Sequence, residues 1–135
     1  MPRLTRWFVK AALVYLLLAV SAGIFVAWPG GSALSGLFPV YFHTLAFGWL
    51  TQLIFGIALW MFPKHSTARP RGHEWLGWVT LITLNAGLIL RIIFEPLNSA
   101  SPSAFSGWML VAAALLQWLA GLAFVGNTWT RVRER

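Results

Sequence analysis

The sequence predicts an all-α integral membrane protein: one four-helix antiparallel bundle over residues 1–135, with both termini on the cytoplasmic side. Three observations carry that prediction. Apolar residues make up 59% of the chain and charged residues 10%, more apolar surface than a soluble domain of this length can hide. The apolar residues fall into four runs, each long enough to cross a hydrocarbon core of ~30 Å as a helix. Nine of the ten Lys and Arg lie in the amino-terminal segment, residues 64–74 or the tail, which four crossings place on one side. The positive-inside rule makes that side the cytoplasm. Trp7, Trp28, Trp60, Trp75, Trp108 and Trp129 fall near the predicted helix ends, where indole favours the headgroup zone.

Taken in order, the spans are predicted near 8–28, 40–62, 75–95 and 105–127. Arg3, Arg6 and Lys10 precede the first run, which is longer than the apolar core of a signal peptide and is read as a retained helix. Trp28-Pro29-Gly30-Gly31 ends it, and Pro39 suits the first turn of the second helix. Pro63 stops that helix before the polar connection 64–74, which holds His65 and His73. The third run contains Asn85 and Arg91 and is expected to close at Glu95-Pro96. Leu97 to Ser103 is expected as a loop, and the fourth run carries Gln117 before a basic tail from Thr128. The absence of cysteine excludes disulfides, thiolate metal sites and cysteine nucleophiles. Although the formal charge is +7, the basic residues flank apolar runs instead of forming a stripe, which argues against nucleic acid.

The second run is the most informative. Val40 to Phe62 holds 23 residues without a Lys, Arg, Asp or Glu. Gly48, Gln52 and Gly56 recur at spacing four and form a narrow ridge where another helix can approach. His43 is the only histidine within a span, and nine residues, or about 900° of helix, separate it from Gln52, so it points away from the ridge. Imidazole in hydrocarbon needs a partner, either a hydrogen-bonding group or a metal. A lone imidazole suits an axial position on haem iron, since the porphyrin supplies four nitrogens, and suits zinc or copper poorly. The competing reading is a histidine bonded to a nearby carbonyl, Gln or Thr.

Arg91 also lies within a span. Its sequence partner is Glu95 at i+4, and the alternative is an anionic group such as a haem propionate. At 1.5 Å per residue His43 sits ~6 Å and Arg91 ~7 to 8 Å below the outer surface, so the two share a level. Asn85 and Gln117 read as interhelical hydrogen-bonding residues. His65 and His73 read as solvated loop histidines.

The segment His43-Thr44-Leu45-Ala46-Phe47-Gly48-Trp49, followed by Gly56 and Pro63, resembles the second helix of haem–copper oxidase catalytic subunits. It is nearest to those of nitric oxide reductases, C-family oxidases and the related NnrS membrane proteins. Arg71-Gly72-His73-Glu74-Trp75, Asn85-Ala86-Gly87 and Arg91 resemble small proteins similar to oxidase subunit I. About 60 residues, from Pro39 to Pro96, carry the resemblance. It implies that His43 is an axial ligand of a low-spin haem. Such subunits have about a dozen helices, a second haem ligand and a three-histidine copper site, so oxidase catalysis is not carried over. The expectation is a bacterial inner-membrane protein that binds haem b through His43, with Arg91 at the same level. It would act in electron transfer or in sensing or handling nitric oxide or dioxygen, in the lipid bilayer, as a homodimer or within a larger complex. The rival expectation is a non-catalytic structural or assembly subunit of a respiratory membrane complex.

Overall fold

The first two apolar runs become helices that end just before Pro29 and Pro63, whereas the third continues through Pro96 and the fourth runs on to Thr128. The structure is a computed structural model and describes residues 1–30, 36–63 and 73–132. Among these it is entirely helical. It has four helices long and apolar enough to cross a membrane.

Helix α1 runs Arg3–Ala27 and begins five residues before the predicted span. Pro2 holds its N-cap position, and the Arg6 amide donates to the Pro2 carbonyl at 3.1 Å. Arg3, Arg6 and Lys10 therefore ride on its first turns, all exposed. The break at Trp28-Pro29 falls as expected, with Trp28 extended at ψ 140°.

The second rod is not the uniform α-helix expected over 40–62. It consists of α2 (Leu37–His43), a π-helical segment (Thr44–Thr51) and α3 (Gln52–Met61). The Thr51 hydroxyl donates to the carbonyl five residues back, Ala46, at 2.8 Å, which matches the wider π ladder. At the other end Thr44 donates to the Val40 and Tyr41 carbonyls. Gly36 precedes α2 with φ 77°, a conformation that favours glycine. A Cβ there would also lie 2.7 Å from the Glu95 carbonyl oxygen.

Helix α4 runs Glu74–Ala100 and passes through Pro96, where the sequence suggested a stop. Proline removes the donor for the Ile92 carbonyl, but the last turn is fastened from outside. Ser106 donates to the Asn98 side chain at 2.7 Å, and the Ser101 amide bonds Leu97 at 2.9 Å. The expected 97–103 loop thus shrinks to residues 101–103. Helix α5 (Ala104–Thr128) opens with a capping box between Ser103 and Ser106 and ends in a 3₁₀ turn, Trp129–Arg131.

Contacts fix the chain directions. Tyr15 meets Gly48 and Phe8 meets Gly56, so α1 and the second rod are antiparallel. Gly87 meets Gln117, Asn98 meets Ser106, and the His73 amide bonds Asn127, so α4 and α5 are antiparallel. Two apolar clusters fill the centre. Leu4, Phe8, Leu59 and Leu81 form one; Tyr15, Leu84, Leu88 and Ala120 form the other. Phe55 packs on both and stacks on Phe124 with ring centroids 3.9 Å apart. The six tryptophans expected at interfaces are all exposed.

The glycine ridge packs against α1, and with little room. A Cβ on Gly48 would lie 2.6 Å from Tyr15 Cγ, and one on Gly56 would lie 2.5 Å from Phe8 Cβ. No heavy atom comes within 4 Å of a Cβ built on Gly107 or Gly121. Gly48→Leu should therefore cost about 1 to 3 kcal/mol through overpacking, whereas Gly121→Leu should leave stability near the parent's. Thermal unfolding of both variants in detergent checks the contrast; equal melting would show that α1 does not press on the ridge.

Candidate functional site

His43 ends α2, and the close approach at Gly36 brings this part of the chain onto α4 beside Glu95. The His43 Nδ1 lies 2.8 Å from Glu95 Oε1 and 2.8 Å from the Pro39 carbonyl oxygen. The same Oε1 accepts from Arg91 NH1 at 2.9 Å, and Arg91 Nε donates to Gln117 Oε1 at 2.9 Å. A continuous polar chain, His43–Glu95–Arg91–Gln117, thus ties α2, α4 and α5 together at one level. His43 and Arg91 meet on the same carboxylate oxygen.

Burial makes this chain consequential. The side chains of Glu95, Arg91 and His43 are 7%, 18% and 21% exposed. A carboxylate so enclosed is costly unless it is paired and hydrogen-bonded. Two donors on one oxygen meet that requirement, while Glu95 Oε2 is buried without a hydrogen-bond partner among the described residues.

The two acceptors also define the tautomer of His43. A backbone carbonyl cannot donate, and a carboxylate paired with Arg91 accepts only. Nδ1 must therefore carry the proton, shared between Pro39 and Glu95. In neutral imidazole that leaves the lone pair on Nε2. Among the described residues every hydrogen bond of His43 falls on Nδ1. Phe47 stacks alongside the ring at a centroid distance of 6.1 Å, and Phe42 meets it edge-on at 5.9 Å.

Sequence reasoning named Glu95 only as a mate for Arg91 and missed it as the partner of His43. The signal was available, since both residues lie near the ends of adjacent spans. Reading Glu95 as the closing residue of its span, already matched to Arg91 at i+4, left its second contact out of consideration. Among the described residues Asn85 makes no interhelical link of the kind expected, its amide donating to the Leu81 carbonyl of its own helix at 2.7 Å. Gln117 does link two helices. Gln52 sits on the ridge fully buried, with neither amide atom hydrogen-bonded among the described residues.

His73 precedes α4, exposed, with its backbone amide bonded to Asn127. His65 lies outside the described residues. Arg131, read as part of a basic tail, is instead buried and donates to the Leu59, Phe62 and Pro63 carbonyls. It caps the open end of α3, where a cation also suits the helix dipole.

The donor set can be tested against haem. Among the described residues no three His, Cys, Asp or Glu side chains gather. His43 therefore offers one nitrogen ligand, with its other nitrogen anchored as metal-bound imidazoles usually are. That fits an axial haem position. The chain matches no known protein family, no curated protein and no solved structure.

Removing the Arg91 charge would leave Glu95 buried beside His43 with its main counter-ion gone. Arg91→Gln is expected to destabilise the fold by about 3 kcal/mol, whereas Asn85→Leu should cost little because its bond is local. Melting temperatures of the two variants in one detergent check this. An Arg91→Gln protein as stable as the parent would mean that the ion pair does not hold α4 in place.

Proposed function

We propose that this chain is a multi-pass protein of the bacterial inner membrane that binds b-type haem through Nε2 of His43. Its function in this reading is electron transfer, or the sensing or handling of a diatomic gas such as nitric oxide or dioxygen. The observation that carries the proposal is the 2.8 Å contact from His43 Nδ1 to Glu95 Oε1. It orients the ring, and in the neutral imidazole it leaves the lone pair on Nε2, the arrangement a metal-binding imidazole needs. The resemblance of His43 to Trp49 to a haem-bearing oxidase helix supports the same reading.

Haem bound there supplies a one-electron iron couple, or an iron position open to a gas. The protein's own residues orient the imidazole and pair Glu95 with Arg91, whose guanidinium would be the cation nearest a propionate. A second copy of the chain supplies the other imidazole across a two-fold axis if the iron has two histidine ligands.

The polar chain favours a second reading as well. Because His43, Glu95, Arg91 and Gln117 bond one another across three helices, they serve equally as a structural clamp in an assembly subunit of a respiratory complex. Protein purified from haem-replete cells separates the two. A Soret band that disappears in His43→Ala, with the variant still inserted, is the expected result. A parent without haem, or a His43→Ala variant that retains it fully, assigns the chain to the assembly reading.

Orientation is proposed from charge alone: both termini cytoplasmic, with residues 33 and 100 on the outer side. Reporter fusions at those two positions should behave as exported. Cytoplasmic behaviour at either would overturn the topology.

A further inference from the structure

We infer that Glu95 is a positioning residue for the His43 ligand: its Oε1 fixes the rotation of the ring and makes Nε2 a stronger donor, lowering the reduction potential of iron bound there. The inference rests on the haem reading and adds to it a residue and a direction of tuning.

The geometry supports both parts. An acceptor 2.8 Å from Nδ1 restrains rotation about the ring's attachment, and the Pro39 carbonyl at the same distance holds Nδ1 from a second direction. Of the two acceptors only the carboxylate is charged. A charged acceptor draws the Nδ1 proton more strongly than a carbonyl does and leaves more electron density on Nε2. Greater donation favours the ferric state. Burial strengthens the effect, because Glu95 is shielded from water.

Arg91 opposes it in part. Its guanidinium shares Oε1, so it weakens the pull on the Nδ1 proton and adds positive charge near the site. Gln117, bonded to Arg91 Nε, contributes no charge and holds that guanidinium in position. The two charged neighbours should therefore tune the iron in opposite directions. Glu95→Gln keeps the shape of the side chain and removes its charge, so the potential should rise. Arg91→Gln leaves the carboxylate wholly to His43, so the potential should fall. A role confined to packing would change stability in both variants without giving the potential opposite signs.

The test uses the full chain purified with haem. Redox titration gives the potential, and ferric electron paramagnetic resonance reports the ligand field independently of distant charge. The expected result is haem retained in Glu95→Gln, with a raised potential and shifted g-values, and a lowered potential in Arg91→Gln. If Glu95→Gln does not fold, Glu95→Asp keeps the charge but withdraws it by one methylene and should raise the potential by a smaller amount. Haem bound through His43 with unchanged g-values and potential in the Glu95 variant that folds would overturn the inference and leave the haem reading standing. A parent that takes up no haem would overturn both.

Discussion

The structure depends on one enclosed carboxylate. Glu95 lies inside α4, which continues through Pro96, and its Oε1 meets donors from α2 and from its own helix. An ionised side chain at this burial has no good alternative to those donors, so it holds α2 and α4 in one register. Arg91 carries the constraint onward to Gln117 on α5. Three rods are thereby joined through polar atoms that an apolar environment strengthens.

The remaining contact, between α1 and the second rod, is of the opposite kind. It is steric, built from missing side chains at Gly48 and Gly56 into which Tyr15 and Phe8 fit. The π segment occupies the part of the rod between these two interfaces and contains Gly48. A wider ladder turns less per residue than an α-helix, so it resets the angle between His43 and the ridge below it. The rod can thus present glycine to α1 and imidazole to α4 without compromising either contact. Polar fastening on one side and close approach on the other are the two means by which helices associate where water cannot drive them together.

Much of this was legible in the sequence because it follows from composition and spacing. The four apolar runs, the exposed tryptophans and the glycine ridge need only hydropathy and helical period. What escaped depends on tertiary contacts. The π segment has a threonine at each end, but threonine hydroxyls bond the preceding turn in ordinary helices too, so nothing local distinguishes it. Pro96 is a stop signal by propensity, overridden here because Asn98 is tied to Ser106 on the next helix. Arg131 is indistinguishable in sequence from the other tail arginines until α3 is seen to end beside it with open carbonyls. Of the site, His43, Arg91 and the Arg91–Glu95 pair were visible; what escaped was that Glu95 also reaches His43, a contact between helices that spacing within one helix does not encode.

The two functional readings share every contact made by Nδ1 and divide only at Nε2. A structural clamp needs the imidazole as a donor, and Nδ1 alone satisfies that need. Nothing in a clamp requires Nε2 to keep a lone pair, and a Gln or Asn donor at the same place would link α2 to Glu95 as well. An axial ligand requires the whole arrangement: a proton fixed on one nitrogen, a lone pair on the other, and a rigid ring between them. The Pro39 carbonyl is the nearby backbone acceptor that the competing reading of His43 expects, and it further restricts the ring whichever reading holds.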